Sequence, residues 1–229
     1  MRTKAVRWVA LAALASGALA GGAAAQERTP GLLNEFEVRQ RVERGDPADH
    51  VRLSAHFAIL GERYSAEARR HTTMAQSFGG NPNRNIGTGM AVHCKRLADL
   101  STQSATTVRE LSASHEKAAA GTPVTLPRDG ARFEDGAGAP APTEEELNSL
   151  ASKARIPAEH RALEEYFLTL ATRYTAEANA HVAWAQTYRG TRIAPAAVHH
   201  DRLATLSRDS AKEAREAASM HKQLASIAR

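Results

Sequence analysis

The stretch PADHVRLSAHFAILGERYSAEARRHTTMAQ, residues 47–76, returns 110 residues later as PAEHRALEEYFLTLATRYTAEANAHVAWAQ, residues 157–186. The two copies are identical at 14 of their 30 positions. In each copy, apolar, aromatic and histidine residues recur at alternating steps of three and four, which is the spacing of one face of an α-helix. The proline that opens each copy suits the first helical turn. The sequence therefore predicts one long helix in two copies.

A second repeated block follows each copy. Residues 91–119 match residues 197–225 at 14 of 29 positions, now at a shift of 106. The changed shift means that the second copy has the shorter loop between its blocks, and Gly79 and Gly190 are placed to end the first helices. Each copy is therefore predicted to be an antiparallel helical hairpin. We expect an all-α protein in which the two hairpins pack as a four-helix bundle, with short flanking helices.

The flanking segments complete the predicted organisation. The first 25 residues combine basic residues, a short apolar run and a small-residue end, as a cleaved signal peptide does. A proline- and glycine-rich linker separates the hairpins. Thr143 and Glu146 form a capping-box signature, which indicates a short helix before the second hairpin. The predicted parts are a signal peptide (1–25), an N-terminal segment that could form a short helix (26–45), hairpin one (46–120), the linker (121–142), a short helix (143–155) and hairpin two (156–229).

Export and composition limit the partners. The signal predicts a periplasmic or secreted protein, and no later segment is apolar enough to span a membrane. Without residues 1–25, the chain has 27 Lys and Arg against 25 Asp and Glu, a net charge of +2, and no basic cluster of the kind that binds nucleic acid. Cys94 is the only cysteine, so no disulfide can form within the chain. It could be a ligand, a buried residue or part of a disulfide between chains.

The histidines repeat with the hairpins. Eight of the ten occupy equivalent positions in the two copies. In an antiparallel hairpin, facing residues have numbers with a nearly constant sum, and one register of this kind brings histidines together at both ends of each hairpin. The register predicts four pairs: His71 with His93, His50 with His115, His181 with His199, and His160 with His221.

A glutamate lies one helical turn before the first histidine of each loop-end pair, Glu67 before His71 and Glu177 before His181. Two imidazoles and a carboxylate on facing helices suit Zn²⁺, Cu²⁺ or Ni²⁺. In hairpin one, Met90 and Cys94 add sulfur, which would favour Cu(I) or Zn²⁺. The candidate metal ligands are Glu67, His71, His93, Glu177, His181, His199, His50, His115, His160, His221 and Cys94.

These residues lead to a first hypothesis of an exported protein that captures, buffers or senses zinc, copper or nickel without catalysis. The sequence has no phosphate-binding glycine loop, nucleophile elbow or supported catalytic triad, so we expect no enzymatic activity. Two alternatives stay open: a structural or interaction module, monomeric or homodimeric, whose polar layers fix helix register, and a b-type haem bundle with histidine axial ligands. A di-iron oxidase is disfavoured because that class uses Glu-x-x-His spacing and further glutamates. The sense in which the hairpins dock also stays open.

Overall fold

The computed structural model of the protein describes residues 31–82, 84–120 and 142–227. Within these ranges the regular secondary structure consists of helices, and two helix pairs pack closely, which confirms the predicted all-α bundle. The predicted signal peptide and residues 121–141 of the predicted linker lie outside the described residues. The helices are α1 (Glu35–Arg44), α2 (Pro47–Gly79), α3 (Arg84–Ala118), α4 (Glu144–Lys153), α5 (Pro157–Tyr188) and α6 (Ala196–Ile227).

The two short helices are delimited by their caps. At the start of α1, the Asn34 side chain accepts a hydrogen bond from the Glu37 amide, and the Glu37 carboxylate accepts one from the Asn34 amide. Gly45 ends this helix with φ of 65°, a left-handed conformation that suits glycine. The predicted capping box of Thr143 and Glu146 is present at the start of α4. Both flanking helices therefore form for local reasons.

The long helices form two antiparallel hairpins, α2 with α3 and α5 with α6. We call the residues that follow the three-four pattern the seam of each helix. In α2 every seam residue from His50 to Phe78 is buried. The equivalent residues of α5 are buried except Glu177, which is partly exposed. The first helix of each hairpin begins at its proline, as expected, whereas α5 ends at Tyr188, before Gly190. The three-four pattern thus defines the inner face of each hairpin.

The hairpins dock head to tail. Tyr188, at the loop end of hairpin two, lies 2.7 Å from His115, at the open end of hairpin one. In the reverse direction, the ring of Phe78 at the loop end of hairpin one lies 5.8 Å from the ring of His221. Helices α3 and α6 pack against each other, and α1 and α4 each contact both α2 and α5. The internal repeat is therefore expressed as an approximate twofold relation between the hairpins.

The docking produces two hydrophobic core clusters, one toward each end of the bundle. Each cluster combines the loop end of one hairpin with the open end of the other, so equivalent residues of the two copies lie in different clusters. Among the described helices, none is both long enough and apolar enough to cross a membrane, in agreement with the sequence prediction.

Candidate metal centre

Both histidine pairs predicted at the open ends of the hairpins are present in the core. The Nδ1 atoms of His50 and His115 lie 3.0 Å apart, and those of His160 and His221 lie 3.2 Å apart. At these distances one ring of each pair donates its N–H to the other. The contact between the predicted partners is thus confirmed, while their binding of a metal stays a prediction.

The loop-end pairs differ from the prediction by one residue. His181 faces His200, with Nδ1 atoms 3.2 Å apart, and not His199. The residue numbers of both facing pairs in hairpin two add up to 381, so one register holds along the whole hairpin. In hairpin one the same register places Cys94, and not His93, opposite His71. One residue along a helix is a rotation of about 100°, which turns His93 and His199 away from the hairpin seam.

The two glutamates predicted to join the loop-end histidines instead bind the opposite hairpin. Glu67 accepts hydrogen bonds from the Tyr174 hydroxyl, at 3.1 Å, and pairs with the guanidinium of Arg173. Glu177 is held in the equivalent way by Tyr64, also at 3.1 Å, and by Arg63. Both carboxylates are therefore satisfied by a network that joins α2 to α5. The predicted ligand sets Glu67, His71, His93 and Glu177, His181, His199 are not assembled.

Burial keeps the inner histidines neutral. It lowers the pKa of His71, His115, His181 and His221 to about 3 each, and that of His56 to about 4, with neighbouring arginine or histidine side chains adding to the effect. The cause is the cost of placing a charged ring in a poorly solvated core. Burial also raises the pKa of the Cys94 thiol to about 12. At neutral pH these side chains are therefore uncharged.

A different set of ligand atoms converges on the outer face of the bundle, between α3 and α6. Among the described residues, one group of three or more His, Cys, Asp or Glu side chains has its ligand atoms within 4.8 Å of one another: His93, Glu213 and Glu216. His93 Nδ1 lies 2.8 Å from Glu213 Oε2, and Arg96 donates to Glu213 Oε1 at 3.1 Å. The side chains of His93 and Glu213 are each only 13% exposed. Imidazole and two carboxylates on rigid helices can hold a divalent transition metal.

The sequence contained a partial signal for this group. Glu213 and Glu216 are three residues apart on α6, which places both carboxylates on one helix face. Their proximity to His93 depends on the packing of α3 against α6, which the repeat pattern does not specify. Of the predicted ligands, only His93 belongs to this group.

The equivalent position in the other copy is incomplete. His199 Nδ1 lies 3.2 Å from Glu110, the counterpart of Glu216. The counterpart of Glu213 is Thr107, which is fully buried and donates to the backbone carbonyl of Gln103. One imidazole and one carboxylate remain at this end, so the approximate symmetry provides a natural control for the three-ligand group.

A surface groove of about 300 Å³ adjoins the group and gives it contact with solvent. The side chains that line this groove carry both positive and negative charges, so the groove does not strongly favour either anions or cations. The groove is lined by Arg96, Asp99, Leu100, Gln103, Asp209, Lys212 and Glu213.

No protein-family model matches the sequence, and no curated protein or solved structure shows a significant match to it. The chemistry and placement of the side chains therefore carry the functional inference.

Proposed function

We propose that this protein binds a late transition-metal ion, Zn²⁺, Cu²⁺ or Ni²⁺, through His93, Glu213 and Glu216, and that it does so in the bacterial envelope without catalysis. The observation that supports the proposal is the convergence of three ligand atoms within 4.8 Å across two helices. The predicted signal peptide supports the location. Capture, buffering or sensing of the ion is the corresponding role.

The geometry needs little rearrangement to accept an ion. Ligand atoms about 2.0–2.2 Å from a tetrahedral zinc ion lie ~3.4 Å from one another. The most widely separated of the three atoms therefore have to approach each other by up to about 1.4 Å. His93 Nδ1 and Glu213 Oε2, which lie 2.8 Å apart, have to exchange their hydrogen bond for the ion and separate slightly, with a water completing the shell. Arg96 bonds to the outer oxygen of Glu213 and leaves the inner oxygen beside His93. Its side chain is 57% exposed, so it can move if the ion requires both oxygens.

A site of this kind suits reversible binding. One neutral nitrogen and two carboxylates give a net charge near zero with a divalent ion, and the adjoining groove allows exchange with solvent. Affinity for the divalent ions should follow the usual order, with Cu²⁺ bound more tightly than Ni²⁺ or Zn²⁺. This ranking is consistent with capture or buffering.

Calorimetric titration of metal-free protein with Zn²⁺ and with Cu²⁺ tests the proposal. We expect one ion per chain, and a loss of at least tenfold in affinity in His93→Ala. His199→Ala is the matched control, because it removes an equivalent partly exposed imidazole beside a single carboxylate. Equal affinities in the two variants, or no binding by the unaltered protein, would remove the proposal.

A second candidate function is a structural or interaction bundle. It is favoured by the fact that inner polar groups of the two hairpins bond to one another, as in the links from Tyr64 and Arg63 to Glu177. Such layers can specify how helices pair. If this is the whole function, chelators leave the melting temperature unchanged and Zn²⁺ does not raise it.

The haem alternative is less favoured by the core. A bis-histidine haem requires the two axial nitrogens to stand on opposite sides of a porphyrin. Here the facing nitrogens of the three histidine pairs lie 3.0–3.2 Å apart in direct hydrogen-bond contact. No porphyrin plane fits between them in this packing.

A further inference from the structure

The sulfur atoms of the described residues gather at one end of the bundle. Cys94, Met74 and Met90 are all fully buried in one core cluster, and Met220 packs against it. A Cβ atom built on Gly89 would lie 3.2 Å from the Met220 sulfur, which places this thioether beside the residue that precedes Met90. Apart from Met1, these are all the sulfur-containing residues of the sequence. We call this region the sulfur end.

The internal symmetry identifies the partner of Cys94. In hairpin two, His181 and His200 face each other with Nδ1 atoms 3.2 Å apart. Their counterparts in hairpin one are His71 and Cys94, whose numbers add up to the same 165 as the facing pair His50 and His115. The register that pairs two imidazoles in one copy therefore pairs an imidazole with a thiol in the other.

The layer of side chains next to His71 and Cys94 also contains more sulfur than the equivalent layer of hairpin two. Met74, one turn after His71, corresponds to Trp184 in hairpin two, and Met90, one turn before Cys94, corresponds to Ala196. Hairpin two fills this layer with one large and one small residue, whereas hairpin one fills it with two thioethers. The seam of hairpin one thus carries one imidazole, one thiol and two thioethers within two helical turns.

His71 supplies an independent observation that points to ligand binding. Its side chain is 1% exposed, and its Nδ1 atom has no hydrogen-bond partner. The corresponding Nδ1 atom of His181 is satisfied by His200. A buried nitrogen without a partner is costly, and native proteins seldom leave one without a reason. A ligand bound between His71 and Cys94 would engage this atom.

We propose that His71 and Cys94, with Met74 and Met90 in the adjacent layer, form a buried site for a singly charged soft metal ion, Cu(I) or Ag(I). Thiolate and thioether sulfur prefer such ions, and imidazole accepts them. On binding, the S–H bond of Cys94 breaks, a sulfur–metal bond forms, and the proton passes to solvent. The oxidation state of the ion is unchanged. The site goes beyond the proposed function, because it shares no ligand with the His93 group.

The charge of the surroundings favours a monovalent over a divalent ion. A thiolate and a singly charged ion form a neutral pair, whose burial costs little. A divalent ion would leave a net positive charge in a core where the guanidinium groups of Arg173 and Arg70 already oppose positive charge at His71. Zn²⁺ is therefore expected to prefer the carboxylates on the outer face.

The test is a titration of the full chain with Cu(I), without oxygen, in competition with the chromogenic chelator bicinchoninate. We expect one Cu(I) per chain and a bound ion that raises the melting temperature. If Cu(I) bound only to the Cys94 thiol of the unfolded chain, the melting temperature would fall instead. The variant Met74→Leu/Met90→Leu keeps both volume and thiol, so the fold should persist while Cu(I) affinity falls at least tenfold. Cys94→Ala should lose at least a hundredfold.

Two controls separate this site from the outer one. His93→Ala should leave Cu(I) binding within twofold, even if it abolishes binding of Zn²⁺. Cys94→His copies the residue that hairpin two has at this position, so it should fold and lose the preference for Cu(I) over Zn²⁺. No rise in melting temperature with Cu(I), or an unchanged affinity in the double methionine variant, overturns the proposal whatever the outcome at His93.

Discussion

The Tyr174 hydroxyl of hairpin two donates a hydrogen bond to Glu67 of hairpin one, at 3.1 Å. Tyr64 makes the reciprocal bond to Glu177, and Arg63 and Arg173 pair with the same carboxylates. These long side chains connect α2 and α5 through the middle of the bundle, between the two core clusters. The network therefore fixes how the hairpins dock.

Tyr174→Phe should destabilise the protein by about 1.5–3 kcal/mol, because it removes a buried hydrogen bond to a charged group. Tyr166→Phe is the matched control: its hydroxyl is buried on the same helix and has no hydrogen-bond partner. Removing it should be neutral or slightly stabilising. Urea unfolding followed by circular dichroism measures both. Equal losses would show that the bond to Glu67 contributes nothing specific.

Acid should unfold the protein between about pH 6 and pH 4.5, because the core histidines are neutral. Their pKa values are lowered on folding, to about 3 for His71, His115, His181 and His221, so the unfolded chain binds more protons below its own histidine pKa of about 6.5. The protein therefore has its full stability with respect to these histidines above about pH 6.5, and it loses that stability as the pH falls toward 3.

Each such histidine removes about 1.4 kcal/mol of stability per pH unit once the unfolded chain is protonated. Together they should exhaust a typical stability of 5–15 kcal/mol within about two pH units. Far-ultraviolet circular dichroism against pH measures the transition. A helical bundle that persists at about pH 4 would contradict the neutral core.

The approximate symmetry also predicts the effects of two single substitutions, each of which gives Tyr188 or Phe78 the side chain of its counterpart in the other copy. Tyr188 lies 2.7 Å from Nε2 of His115, whereas its counterpart Phe78 packs on His221, whose Nε2 has no partner. Tyr188→Phe should therefore cost about 1–2 kcal/mol. Phe78→Tyr should be neutral or stabilising if its hydroxyl reaches His221. Unfolding in guanidinium chloride measures the free energy of unfolding of both variants. If Phe78→Tyr were the less stable of the two, the hydrogen bond assigned to Tyr188 and His115 would be contradicted.

Much of the fold could be predicted because it is encoded locally. The three-four pattern from His50 to Phe78, the prolines at 47 and 157 and the capping box at Thr143 are properties of single helices or turns, and each is present in the structure. The head-to-tail docking could not be predicted. It depends on contacts such as Tyr174 to Glu67, which join residues with no fixed spacing in the sequence.

The site was predicted less well, for two physical reasons. On α3, steps of four and three counted back from His115 lead through Leu111, Val108, Ser104, Ser101 and Leu97 to Cys94 and Met90, all of which are buried. A prediction that kept strictly to alternating steps of four and three would thus have placed Cys94, and not His93, on the buried face of α3. The role of Glu213 and Glu216 depends on the packing of α3 against α6, which no pattern within one hairpin reports.

The most direct test of metal binding at the outer site compares two isosteric variants, Glu213→Gln and Glu110→Gln. Each removes one negative charge next to a histidine at the contact of α3 with α6, so the change in net charge is identical. The measurement is the Kd for Zn²⁺, by competition with a chromogenic chelator. We predict a Kd at least tenfold weaker in Glu213→Gln and within twofold of the unaltered protein in Glu110→Gln. Equal weakening in both variants, or none in either, would contradict a site built from His93, Glu213 and Glu216.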